Sequence, residues 1–253
     1  MDRLIHTALN SVTIHRDTRQ IQAQNLANIN VPGFRRDLQN EGESKFLRSA
    51  ETDSVRAFQL EAGTPGFSHA PGFLDRTDMD MDVAIADFGY FYIKPESGDN
   101  ALSRRGDLQR GIDGMLRNGA GDMMLDTDLQ PIEVPQHRSI RISDIGEVYI
   151  EPTIGPPGQS VLVGTLATVI PDQNLVLRKG LDGEIRTDKG TVPPPNQAAT
   201  VLQGVLEGSN VNAVEEMLTN VETQRSFEIG MKVILMAKEL DEAGSAAMQA
   251  PNA

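Results

Sequence analysis

Near the start of the chain, apolar side chains fall at Ile5, Leu9 and Val12 and again at Ala23 and Leu26, within residues 1–30 that hold no Gly and no Pro. Where they cluster they are three or four apart, the spacing of one face of a helix. Arg16 and Arg19 interrupt the same face, so a helix here is not expected to be stable alone. Pro32-Gly33 ends it, because Pro disfavours helix at the residue before it. The other end carries the stronger pattern. Asn212-Ala-Val-Glu215 reads as a helix N-cap with a carboxylate three residues on. From there to about Ala243 only Gly230 interrupts, and Leu218, Val221, Ile229, Val233, Met236 and Leu240 trace a stripe, with Arg225 on the same line. The spacing alternates between 3 and 4, as in a coiled coil. A helix of ~30 residues is ~45 Å long and needs a partner helix.

Between the ends, roughly 76–200 reads as β. Val83-Ala-Ile-Ala86 and Tyr90-Phe-Tyr-Ile93 are short strand candidates. Ser139-Ile-Arg-Ile142 and Glu147-Val-Tyr-Ile150 alternate apolar with polar about a turn at Asp144-Ile-Gly146. Val161–Ile170 has the pattern of one buried strand. Asp113-Gly114 and Asp182-Gly183 are hairpin signals. They lie within a weak repeat, Gly111-Ile-Asp-Gly-Met-Leu-Arg117 and Gly180-Leu-Asp-Gly-Glu-Ile-Arg186, which fits shared hairpin chemistry better than duplicated domains. Residues 37–75 are mixed, and Pro193-Pro-Pro195 reads as a stiff linker leading out of the β region. The expected fold is α+β: paired N- and C-terminal helices, coiled-coil-like, with a β-rich middle domain. The expected organisation is a terminal helical assembly domain of 1–36 and 209–253, a connecting segment of 37–75 and 196–208, and an outer β domain of 76–195.

Charge sharpens the pairing of the ends. Residues 1–36 hold five Arg against two Asp, and residues 211–253 hold three Lys or Arg against seven Asp or Glu. Opposite signs favour association, although an exposed pair contributes only about 0–1 kcal/mol. Over the whole chain the net charge is −13, which disfavours nucleic acid and anionic membrane surfaces as partners. No apolar run is long enough for direct membrane insertion as a helix. His6, Asn10 and His15 break up any secretory-signal core, so export would need a route that reads no cleaved signal. Hydrophobic residues are 39 % and aromatics 4 %, a modest supply for one large core.

Candidate chemistry is sparse. There is no Cys, which excludes disulfides and Cys-ligated metals. The His at 6, 15, 69 and 137 are not spaced as a metal pair, and no nucleophile elbow or phosphate-binding glycine loop occurs. Asp78-Met-Asp80-Met-Asp82 resembles the start of a calcium loop, but the sixth and twelfth places hold Val83 and Gly89 instead of Gly and Glu. The alternation suits a strand with a solvated acidic face. Asp126-Thr-Asp128 is weaker still. No cofactor and no enzymatic activity are expected.

Two segments go further. Gln24-Asn-Leu-Ala-Asn-Ile-Asn-Val-Pro-Gly-Phe-Arg35 and Leu202-Gln-Gly-Val-Leu-Glu-Gly-Ser-Asn-Val-Asn-Ala-Val-Glu-Glu-Met217, continuing to Gln224-Arg-Ser-Phe-Glu228, closely resemble the signatures of the bacterial flagellar rod and hook proteins. Asp82-Val-Ala-Ile-Ala-Asp-Phe-Gly-Tyr-Phe91 and Ser103-Arg-Arg-Gly-Asp-Leu108 are similar to two central motifs of that family. The start of the chain and its modest length look most like a proximal rod member of the basal body; a distal rod or hook-type axial protein is the nearest alternative. The resemblance implies a structural subunit that is exported unfolded by the flagellar type III system and stacks helically with itself and other rod subunits. It also implies an axle that transmits torque, its inner tube built from the terminal helices.

On that reading each subunit's terminal helices pack on neighbours: Ile5, Leu9, Val12 and Leu26 belong to the assembly interface, with Leu9, Val12 and Leu26 packing against Leu218, Val221, Val233 and Met236. Phe34 and Phe227 are packing anchors. Asn25, Asn28, Asn210 and Asn212 sit at the helix ends, where their amides can cap or bond the turning backbone, and Pro32 and Gly33 close the first motif. Glu215, Met217 and Arg225 complete the second motif. The ends are expected to stay largely disordered until partners arrive. Rivals are a secreted peptidoglycan- or carbohydrate-active enzyme, against which stands the absence of any acid, nucleophile or metal constellation, and a β-rich adaptor that stays monomeric.

Overall fold

The computed structural model describes residues 2–38, 66–96, 98–154, 156, 158–172, 174–180 and 182–249. Most of the 37–75 stretch, residues 39–65, lies outside that description. The described residues form two units, one of 2–27, 37–38 and 212–249, the other of 28–36 and 66–211.

The helical unit contains α1 (Asp2–Ala27) and α2 (Ala213–Gln249). At its start α2 is capped as the sequence predicts: the Asn212 side-chain oxygen accepts from Val214 N at 3.0 Å and Glu215 N at 3.4 Å. It runs past Ala243 through Ala-rich sequence to Gln249, 37 residues in all, about 55 Å at 1.5 Å per residue. The two helices run antiparallel, since Asn25 meets Glu216, Gln22 meets Thr223 and Val12 meets Gly230.

Within one chain, the face that joins them takes in Val12, Leu26 and Val233 but little else of the apolar stripe. On α2 the covered positions are Ala213, Glu216, Thr219, Asn220, Thr223, Phe227, Gly230, Val233, Ile234, Ala237, Asp241 and Gly244. Most fall three and four apart, and most are small or polar. On α1 they are Ser11, Val12, His15, Asp17, Thr18, Ile21, Gln22, Asn25 and Leu26. Leu218, Val221 and Met236 are instead 63 %, 50 % and 61 % exposed, so within one chain they do not pack on α1. The reason is distance of approach. Small side chains let two helix backbones come close; at Gly230 an added Cβ would already touch Val12 at 3.5 Å. Arg16 and Arg19 sit beside this seam and are exposed, which accounts for the gap they leave in the apolar stripe.

The β unit holds fifteen short strands among the described residues. They begin with β1 (Leu74–Arg76), β2 (Val83–Ile85), β3 (Tyr90–Lys94), β4 (Ala101–Ser103), β5 (Leu108–Arg110), β6 (Leu116–Asn118) and β7 (Met123–Met124). There follow β8 (His137–Ile142), β9 (Glu147–Pro152), β10 (Val161–Thr165), β11 (Thr168–Val169), β12 (Leu177–Lys179) and β13 (Ile185–Thr187), and finally β14 (Val201–Gln203) and β15 (Val205–Glu207). Eight strands make the main sheet, in the order β12-β13-β4-β3-β7-β6-β5 with β11 also against β3. The order β10-β9-β8 makes a second sheet, and β14-β2 and β1-β15 are separate ribbons. Strand β3 shows why Tyr90-Phe-Tyr-Ile93 has no polar positions: Phe91 and Ile93 enter one apolar cluster and Tyr90 and Tyr92 another. Alternate side chains of a strand point to opposite faces, and here both faces are covered.

Both Asp-Gly hairpins form, β5 with β6 and β12 with β13. The two halves of the repeat make the same bonds: Gly111 N to Met115 O and Gly180 N to Glu184 O, each 2.8 Å, with Arg117 on Asp113 and Arg186 on Asp182. The repeat is therefore one turn used twice. Other expectations change. Residues 161–170 form two strands, and Val161 and Leu162 are half exposed because β10 lies at a sheet edge with one strand partner, β9. Asp78–Asp82 is a bend, not a strand: Asp78 has φ +54°, and its carboxylate accepts from Arg76 at 2.7 Å. Pro193 does not lead out of the β unit, since its carbonyl accepts from the Tyr92 hydroxyl at 2.7 Å, and the chain returns to pair β14 with β2 and β15 with β1.

Candidate functional site

In the helical unit, Asn25 joins three elements. Its Nδ2 donates to Asp37 O at 3.0 Å and to Glu216 Oε1 at 3.3 Å, while its Oδ1 accepts from Asp37 N at 2.8 Å. One turn earlier the Gln22 amide donates to the Thr223 hydroxyl at 3.2 Å, and that hydroxyl donates to Thr219 O at 2.8 Å. These bonds fix the register of the antiparallel pair. Phe227 and Val233 are half-buried on α2, and Val12 and Leu26 half-buried on α1. The side chains of Ile5 and Leu9 lie outside the described set. At about 100° per residue, Val214, Leu218, Val221, Arg225 and Met236 fall roughly opposite the seam. Met217, Ile229 and Leu240 extend this surface, each at least 55 % exposed; Glu215 and Arg225 are exposed beside and within it.

The β unit holds a second constellation, built on one buried carboxylate. Glu207 ends β15. Its Oε1 accepts from Arg35 at 3.0 Å and from Gly72 N at 2.7 Å, and its Oε2 accepts from Arg104 at 2.7 Å. Arg104 also donates to the carbonyls of Ile85, Asp87 and Gly89, and Arg35 to that of Ala70. All three charged side chains are 2 % exposed or less. Burial pushes the Arg104 guanidinium down from its ordinary pKa, and Glu207 opposes the shift. Tyr90, whose ring lies 5.9 Å from the Arg104 guanidinium, is raised by burial. His69, 3.5 Å from the Tyr90 hydroxyl, is lowered by burial and then by Arg35.

Backbone contacts tighten the same place. Gly33 N donates to Glu207 O at 2.7 Å. Gly33 has φ +67°, and a Cβ there would meet the Arg104 carbonyl carbon at 2.4 Å, so only Gly fits. Asn210 is more than a turn residue. Its oxygen accepts from Arg36 N at 2.6 Å, and its Nδ2 donates to Ser68 O and Ala70 O. Phe34 lies under the Lys179 ammonium at 3.8 Å. Pro32 is half-buried, and Asn28 accepts from Val31 N at 3.1 Å.

Elsewhere in the β unit Glu184 is pushed up to about 8, by burial first and then by Asp122 and Asp182. A carboxylate whose folded pKa is raised binds a proton that the unfolded chain has released, so stability falls as pH rises from about 4.5 to about 8. Glu184→Gln should flatten that slope and leave the β unit more stable than the parent at pH 8, as measured by urea midpoints at pH 5 and pH 8.

Two of these segments, Gly33–Arg35 and Glu207–Asn210, come from the end motifs, and Arg104 comes from the central Ser-Arg-Arg-Gly. Residues 202–247 match the family described as the flagellar basal body rod FlgEFG protein C-terminal. The flagellar basal-body rod protein FlgF of Salmonella typhimurium (strain LT2) is 31 % identical over 94 % of this chain and 95 % of its own. FlgF of Escherichia coli (strain K12) is 32 % identical over 92 % and 93 %, and FlgG of Buchnera aphidicola from Acyrthosiphon pisum 30 % over 88 % and 93 %. The chain belongs to the flagellar basal-body rod protein family. Among the described residues of this rod protein no helix is long and apolar enough to cross a membrane. The rod-family match takes in most of β14, all of β15 and most of α2, so it covers the exposed stripe and, of the carboxylate hub, Glu207 alone. Arg35, Arg104 and Glu207 lie inside the motifs, but nothing in their spacing marks them as one cluster. The available signal was Glu207 standing alone at the end of the apolar run Val205-Leu206.

Proposed function

We propose that the chain is a structural subunit of the flagellar basal-body rod, most like FlgF, and that its terminal helices assemble with those of other rod subunits and of its own copies. The observation that carries this is the α2 surface of Leu218, Val221, Ile229, Met236 and Leu240, which its own α1 leaves uncovered. A long helix with an uncovered apolar stripe is stabilised by burying it against a neighbour. The intrachain seam, with its alternating three and four spacing, then acts as a coiled-coil-like pair of small and polar residues, and the stripe acts between subunits. Contacts of this head-to-tail kind that do not close into a ring generate a helical stack able to carry torque. Ile5, Leu9, Val12, Leu26 and Ile14 of α1 contribute to the same assembly layer, and the seam amides Gln22 and Asn25 set its register. Delivery by the flagellar export route, without a cleaved signal, completes the reading. The subunit acts by assembly, not by catalysis.

Deleting residues 1–27 and 212–253 tests it. The remaining chain should stay soluble and fail to enter rods, and incorporation of the deleted chain would refute the proposal. Mass measured across concentration with other rod proteins separates a subunit from a monomeric adaptor.

A further inference from the structure

The Glu207 hub has a consequence for the order of folding, and it rests on the β unit alone, not on the assembly reading. Segment 201–210 is bonded along its length to parts of the chain that lie far before it in sequence. Val201 N donates to Asp144 O, Gly204 N to Asp82 O and Gly208 N to Phe73 O. The Gln203 amide accepts from Ile142 N at 3.1 Å and donates to Asp80 O and Ile140 O. Strand β14 is the strand partner of β2, and β15 that of β1. Yet β2 contributes Val83, Ala84 and Ile85, all at 1 % exposure or less, to the core. The earliest strands of the β unit are thus closed by its latest.

Charge makes this closure all-or-none. Without Glu207 the fold would bury two guanidiniums and no anion. An unpaired buried charge is among the costliest things a protein can contain. Carbonyl oxygens from Ile85, Asp87, Gly89 and Ala70 orient Arg104 and Arg35, but they carry no net charge. Until the carboxylate arrives, both arginines are better left in water. That holds open the loop after α1 and the turn after β4.

We infer that Glu207 is a folding checkpoint: β2, β3 and β4 do not close around Arg35 and Arg104 until segment 201–210 docks. A chain emerging from its N-terminus therefore keeps the β unit open until nearly all of that unit is present. Glu207 is a positioning residue in this device, and its carboxylate reads whether the far end of the β unit has been delivered.

Pulse-labelled hydrogen exchange during refolding of the full chain tests the order. The Val83 amide bonds to Gly106 O and the Tyr92 amide to Ala167 O, neither of them in the docking segment. Both should gain protection in the same kinetic phase as Gly204 and Gly208. Protection at Val83 and Tyr92 about tenfold faster than at Gly204 and Gly208 would overturn the inference. In parallel, Glu207→Gln keeps the shape and removes the charge. Its refolding should be about tenfold slower or more, while Glu239→Gln on the exposed face of α2 refolds at the parent rate. A Glu207→Gln chain that refolds at the parent rate would also overturn it. If that variant does not fold, the labelling of the parent chain decides.

Discussion

Replacing Leu218, Val221 and Met236 together by Gln should abolish incorporation into rods, and with it swimming, while the urea midpoint of the β unit stays where it was. Gln has a helix propensity close to that of Leu and Met, so a weaker helix is not the cause. The seam is untouched, because none of the three faces α1. What is lost is burial between subunits. Each side chain is already about half covered, so its remaining burial contributes roughly 1–2 kcal/mol. Three of them reach roughly 3–6 kcal/mol for each interface, about two to four powers of ten in association constant. Rod incorporation, measured by subunit content of purified basal bodies, reads this directly. A variant that enters rods normally would show that the stripe is not the assembly surface.

The second large effect is on stability. Arg104→Met should destabilise the β unit by about 3–5 kcal/mol, the usual cost of removing one partner from a buried ion pair. Whole domains have only about 5–15 kcal/mol to lose. The loss has two parts. Glu207 keeps Arg35 and Gly72 N but loses its 2.7 Å partner, and the carbonyls of Ile85, Asp87 and Gly89 lose a buried donor. Methionine fills much of the volume, so a cavity is a minor term. Urea unfolding followed by near-ultraviolet circular dichroism of the buried Tyr90 and Tyr92 measures it. An unchanged midpoint would mean that the carbonyls and solvent make up for the guanidinium.

These two predictions show where sequence patterns inform and where they mislead. The helices themselves were legible, because long Gly- and Pro-poor ends and an Asn212 cap are local signals. So were the hairpins, because Asp-Gly turns act over a few residues. The face of α2 was not. Periodicity finds the most apolar stripe but does not say whether that stripe packs within the chain or on a neighbouring subunit. Within one chain, close helix approach selects Gly230, Ala237 and Thr223 instead, and the apolar stripe is left outward. The hub was hidden for another reason. A charged residue reads as surface unless its counter-charge is known, and Arg35, Arg104 and Glu207 come together from three distant segments. Asp78-Met-Asp-Met-Asp82 alternated like a strand, but the left-handed φ at Asp78 turns the chain there.

The assignment of faces on α2 is the centre of this account, and the absence of Cys from the chain allows a direct test. Single variants Leu218→Cys and Met236→Cys on the stripe, and Thr223→Cys and Ala237→Cys on the seam, are treated with a small maleimide as free chain and again after assembly into rods. Positions 218 and 236 should react in the free chain and become protected in rods, while assembly leaves the reactivity of 223 and 237 unchanged. Reactivity at 218 and 236 that assembly does not alter would contradict it.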